Sequence, residues 1–270
     1  MKKILLATLI ALSSSTAVFA ADAAAPQTGL NPAFAKVEQY IQAQNFTAAY
    51  QELDKLGKAG NAQALYNQAY LTQVGKGTAK DEKKALQLYQ QSGDKGYPVA
   101  NYVLAQAYGT GSLTAPKDEK KARQYLEKAS NQGFDDATVE LAVMYFAEGT
   151  DQSNKLGLAK LDPLIKKGNY QAIHAKALYD ITTGLKNKNE ATIKQGLDSI
   201  KNLGSKGYIP ALMAMANMLA RGDIVQQNLP EARKIYAALA QDNVPQSKEA
   251  LAAIDKMIAE QGKAAPAPKK

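Results

Sequence analysis

From Ala64 onward the chain places apolar residues at intervals of three and four, in two blocks per cycle, and the cycle restarts about every 36 residues. The clearest first block holds Ala100, Leu104, Ala105 and Tyr108 and stops at Gly111. The second runs from Asp118 through Lys121, Ala122, Tyr125, Lys128 and Ala129 and stops at Gly133, with Ala137 opening the next cycle. Steps of three and four keep side chains on one helical face, so each block predicts an amphipathic helix and each cycle a helix pair. Cycles open at Ala64, Ala100, Ala137, Ala172 and Ala211, and Ser247 opens a closing helix over residues 246–261. An extra helix pair is expected over residues 31–60, entering at Asn31-Pro32 and carrying Ala49 and Gly60 in the same register. The spacing varies only where loops can absorb it, at Leu113–Pro116 and Lys186–Asn189.

Each recurring residue has a physical task. Small residues at the unit start and at Ala69, Ala105, Ala142, Ala177 and Ala216 let two helices approach closely. Leu104, Tyr108, Leu141, Tyr145, Met215 and Leu219 are the large side chains that fill the space between them. Gly75, Gly111 and Gly222 are expected to end first helices, and Gly96, Gly133, Gly168 and Gly207 second helices. Asp81 and Asp118 stand where a second helix needs its N-cap. A helix pair of this kind buries its apolar face only against a neighbour, which predicts an all-α solenoid of antiparallel helix pairs over residues 31–261.

The pattern Ala-x3-Leu-Ala/Gly-x2-Tyr-x2-Gly, then Asp before Lys-Ala-x2-Tyr, then Gly-x3-Ala, resembles the Sel-one-like repeat, a relative of the tetratricopeptide repeat. The resemblance covers residues 60–250 and weakens in the third and fourth units, where Gly157 and Gly196 replace the alanine of Lys-Ala. It implies a right-handed superhelix that serves as a scaffold for protein complexes. Exported bacterial members are linked to envelope assembly and host contact. One cysteine-rich branch of the family is described as penicillin-binding or weakly β-lactamase-like. This chain has no cysteine, so it lacks the disulfides that go with that activity.

Outside the repeat, Lys2-Lys3, the apolar run Ile4–Leu12 and Val18-Phe19-Ala20 form the three parts of a secretory signal peptide, with cleavage expected after Ala20. No later stretch has the roughly 18 apolar residues a spanning helix needs. The reading is a periplasmic or secreted protein without a membrane span. Residues 21–30 and 262–270 are small, Pro- and Lys-containing and aperiodic, and are expected to be disordered. The chain carries a net charge of +8, which loss of Lys2 and Lys3 with the leader lowers by two. Lys83-Lys84, Lys120-Lys121 and Lys166-Lys167 recur at matching places on the second helices. They read as a solvated outer face, with an anionic cell-envelope polymer as the alternative partner. Export and the lack of an Arg-rich stripe argue against nucleic acid.

In the family the first helix of each unit lines the inner surface, at the third, seventh and tenth positions counted from the opening alanine. Carried onto this chain, those positions give Tyr66, Tyr70 and Gln73, then Tyr102, Gln106 and Gly109, then Val139, Val143 and Phe146. The fourth and fifth units add His174, Leu178 and Ile181, then Met213, Asn217 and Ala220. So apolar and aromatic a set reads as a groove for a protein or peptide. The competing reading is that tight winding buries these residues against neighbouring units. No nucleophile, metal or cofactor constellation emerges. His174 is the only histidine, and Gly75-Lys76-Gly77-Thr78 lacks the spacing of a phosphate loop. The expectation is a binding scaffold and not an enzyme, with muropeptide or β-lactam binding or slow hydrolysis as the alternative.

Overall fold

A computed structural model describes residues 32–264. The expected signal peptide, the linker 21–30, Asn31 and residues 265–270 lie outside the described residues. Among the described residues there are thirteen α-helices, one 3-10 turn and no strand. After the turn Pro32–Phe34 come α1 (Ala35–Gln42) and α2 (Phe46–Lys58), the amino-terminal pair. The repeat units follow as α3 (Ala62–Val74) with α4 (Glu82–Asp94), α5 (Pro98–Thr110) with α6 (Glu119–Asn131), and α7 (Asp135–Glu148) with α8 (Asp151–Lys166). Then come α9 (Tyr170–Asn187) with α10 (Glu190–Ser205), α11 (Ile209–Arg221) with α12 (Leu229–Gln241), and the closing helix α13 (Ser247–Ala264). The molecule is an all-α helical-repeat solenoid.

Local chemistry sets the helix boundaries. Asp81 Oδ1 accepts from Lys84 N at 2.9 Å and Asp118 Oδ1 from Lys121 N at 2.9 Å, so both expected caps are made. Asn45, Asn61, Asn169, Asn189 and Asn228 cap five further helices in the same way. Gly111 ends α5 in the left-handed region at φ 76°. Gly77, also at positive φ, passes so close to the Phe46 carbonyl that an added Cβ would lie 2.1 Å from its oxygen, so only glycine fits there. The first helix of the fourth unit departs from this scheme. With no glycine at the expected stop, α9 runs 18 residues and ends at Lys188, itself left-handed at φ 54°.

The array divides into two compact units whose boundary lies between Leu161 and Asp162, inside α8. Pro163 sits next to that boundary and has no N–H to give to the preceding turn. In the first unit, Phe34, Val37, Leu53 and Leu71 form one core around α1–α3, and Leu65, Tyr66, Tyr89, Leu104 and Tyr108 a second around α3–α5. Tyr102, Leu126 and Leu141 form a third, joining α5, α6 and α7. In the second unit Leu178, Ile181, Ile200 and Leu203 pack with α11, and Met213, Leu229, Tyr236 and Leu239 pack with Ile254 of α13.

Candidate functional site

The structure separates the expected groove residues into two groups. Tyr66, Tyr102, Phe146, His174, Leu178, Ile181 and Met213 are buried, none more than 8% exposed, and belong to the core, Tyr102 alone of them also lining the cleft described below. Tyr70, Gln73, Gln106 and Asn217 are half-buried and keep some access to solvent. Burial at the third position has a repeated cause. The residue just before the next unit's first helix is aromatic and closes over it: Tyr97 on Tyr66 at 5.1 Å between ring centroids, Phe134 on Tyr102 at 5.0 Å, and Tyr208 on His174 at 5.6 Å. The signal was present in the sequence, because Tyr97, Phe134 and Tyr208 recur in one register, but it belongs to the stacking of units and not to a groove.

Burial leaves its mark on the polar ends of these side chains. The Tyr66 hydroxyl and His174 Nε2 are buried without a hydrogen-bond partner. Burial pushes the Tyr66 hydroxyl far above the ordinary tyrosine range and pulls the His174 imidazole down to about 4. The paired lysines of the second helices are exposed, as expected, yet several have intramolecular partners. Lys84 Nζ lies 5.6 Å from the Tyr50 ring centroid, Lys121 Nζ lies 5.1 Å from that of Tyr108, and Lys166 pairs with Asp162 at 2.6 Å.

One accessible feature of the first unit is a cleft of about 340 Å³. Gln73 from the end of α3 and Glu82 from the start of α4 form one side, and Tyr102, Val103, Gln106 and Ala107 of α5 the other. The loop Gly111–Thr114 closes one end, with Leu113 and Thr114 both in the left-handed region at φ 52° and 60°. Two consecutive non-glycine residues in that region are strained, and the buried Leu113 and Ala115 side chains hold the loop down.

Two carboxamides in this cleft have fixed orientations. The Tyr89 hydroxyl donates to Gln73 Oε1 at 2.8 Å, which leaves Gln73 Nε2 as the unmatched end. Gln106 Nε2 donates to both oxygens of Glu140, at 3.1 and 2.9 Å, which leaves Gln106 Oε1 as the unmatched end. One unit thus presents a donor and the next an acceptor, the complement of a peptide C=O and N–H. Glu140 comes from α7 and was not among the expected residues. Burial and the neighbouring Asp136 raise its carboxyl, against the Tyr102 hydroxyl and the Gln106 amide, which lower it; the net shift is upward. The same tyrosine-to-amide arrangement recurs in the second unit, where the Tyr236 hydroxyl donates to Asn217 Oδ1 at 2.8 Å.

Among the described residues no group of three or more His, Cys, Asp or Glu could hold a metal ion, and no helix is long and apolar enough to cross a membrane.

A model of the Sel1 repeat matches residues 62–97, 98–134 and 209–243, which are the pairs α3–α4, α5–α6 and α11–α12. The solved structure of a Sel1 repeat protein from Oxalobacter formigenes is similar with a TM-score of 0.66 at 19% identity, over 83% of this chain and 88% of that one. A protective antigen present in uropathogenic Escherichia coli strains, displaying an SLR fold, is similar with a TM-score of 0.58 at 21% identity, over 78% of this chain and 44% of that one. No curated protein matches. Three segments of this chain are thus Sel1 repeats by their own sequence, set in a solenoid fold similar to those of solved Sel1 repeat structures.

Proposed function

We propose that this chain is an exported, non-catalytic scaffold that holds a protein or peptide, and that the cleft of its first unit is where the polypeptide is held. Sel1 repeats mediate protein interactions in general, and the three repeats of this chain support that coarser role. The observation that carries the finer reading is the pair of oriented amides in the cleft, Gln73 fixed by Tyr89 and Gln106 fixed by Glu140. An amide whose other end is already bonded offers hydrogen-bonding capacity at little further entropy cost. The leader-like residues Met1–Ala20 support export, and with it a role in envelope assembly or host contact.

The test is a photocrosslinking amino acid placed at Val103, in the cleft, or at the exposed outer position Lys201, in cells producing the full chain. A discrete adduct from position 103, absent from position 201 and lost when Gln73 and Gln106 are both changed to Ala, is expected. Equal labelling from both positions would count against the cleft. Amino-terminal sequencing of the mature protein should begin at Ala21; a retained Met1 would remove export from the reading.

A further inference from the structure

The charge around the cleft opposes the charge of the chain. The sequence is net basic, at +8, yet the one lining side chain of the cleft that is charged at neutral pH is Glu82, and the groups behind Tyr102 and Gln106 are Glu140 and Asp136. Glu82 is already paired with Lys80 at 2.8 Å. Glu140 is different. Among the described residues it has no ion-pair partner, and the groups that hold its oxygens are neutral, the Gln106 amide nitrogen and the Tyr102 hydroxyl. A half-buried carboxylate held by neutral donors has lost hydration without gaining a counter-charge. Two neutral donors also leave acceptor sites unused, since an ionised carboxylate offers about four.

We propose, resting on the reading of the cleft as a polypeptide site, that it selects a basic side chain, the lysine or arginine of the bound segment, whose cation Glu140 receives. The main chain of that segment meets the free ends of Gln73 and Gln106, and the aliphatic stem of the basic residue lies along the half-buried Val103. The volume, about 340 Å³, suits a few residues and not a folded domain. An acidic segment is repelled by the same carboxylates, and a neutral one leaves Glu140 without a counter-charge.

The probes are N-acetyl-Ala-Lys-Ala amide and its norleucine counterpart, which keeps the stem and removes the charge. Each is titrated into the full-length protein labelled with nitrogen-15, following the Gln106 side-chain amide. The lysine peptide is expected to bind about tenfold more tightly than the norleucine peptide, a preference that 0.5 M NaCl weakens. Glu140→Gln, which keeps an acceptor for Gln106, should abolish the preference, and Glu82→Gln should keep it. Equal affinity of the two peptides in the unaltered protein overturns the proposal whatever the variants do. So does a preference that survives Glu140→Gln, or a Gln106 signal that neither peptide moves. Equal binding of both peptides leaves the scaffold reading standing, whereas that reading fails on its own if position 103 yields no adduct.

Discussion

His174 lies under the Tyr208 ring at 3% exposure, and the desolvated imidazole is held at a pKa of about 4. Its value in an unfolded chain is near 6.5, so protonation favours unfolding. The stability this residue permits is fully present above about pH 6.5 and is lost as pH falls toward 4, with a ceiling of about 3 kcal/mol. Glu140 acts in the other direction. Its folded-state pKa is raised, so its contribution is present at low pH and lost as pH rises from about 4.5 through the folded value. Urea midpoints measured between pH 7 and pH 5 should fall on acidification, and His174→Gln should flatten that slope. An unchanged slope in the variant would remove His174 as the cause. The sequence singled out His174 as the one group titrating near neutrality but placed it on an accessible wall, because the covering ring comes from the next unit, 34 residues later.

At the scale of the helix pair, the two glycines that mark the degenerate third and fourth units turn out to be compensations. Phe146 and Ile181 occupy the tenth position, counted from the opening alanine, in the third and fourth units, where the second and fifth have Gly109 and Ala220 and the first has Gln73. The facing residues are Gly157 and Gly196. A Cβ on Gly157 would lie 2.6 Å from the Phe146 ring, and one on Gly196 would lie 2.6 Å from the Ala177 carbonyl oxygen and 2.7 Å from Ile181. Where the tenth residue is small, the facing residue is Ala122 or Ala232. Gly157→Ala should therefore cost about 1–3 kcal/mol in chemical denaturation despite its better helix propensity. Adding Phe146→Leu should recover part of that loss. Gly196→Ala should cost a similar amount, and Ile181→Val should not rescue it, because backbone limits the space there. Equal rescue at both sites would refute the distinction. Asp118→Ala, which removes the α6 cap, should cost about 1 kcal/mol without disturbing either pair. Helix number, pairing and the caps Asp81 and Asp118 were legible in the sequence because they depend on local spacing, whereas the five asparagine caps were not singled out. The cleft was only half legible: Gln73 and Gln106 were read from their register, whereas Glu140 and the Gly111–Thr114 loop join the site through contacts between units that no single repeat displays.

Over the whole chain, a solenoid's stability is the sum of what each pair gains from its neighbours, so its ends need a face that no further unit covers. In the second unit α13 supplies that face. Ile254 is 3% exposed, and Leu251, Met257 and Ile258 pack with it against the core of Leu229, Tyr236 and Leu239. Removing residues 247–270 would leave that core open on one side. Nearest-neighbour coupling predicts a graded result: amide hydrogen exchange should lose most protection in α12, less in α11, and least in α9 and α10, whose core of Ile181, Ile200 and Leu203 does not include α13. Uniform loss from α9 to α12 would show instead that the unit unfolds as one cooperative body. A milder variant, Ile254→Ala, should produce the same gradient at lower amplitude, at a cost of about 2–5 kcal/mol to the pairs it touches. The gradient also bears on function. The cleft belongs to the first unit and is built from α3, α4 and α5, so a chain lacking α13 is expected to keep its preference for the lysine peptide over the norleucine one while its second unit loses protection.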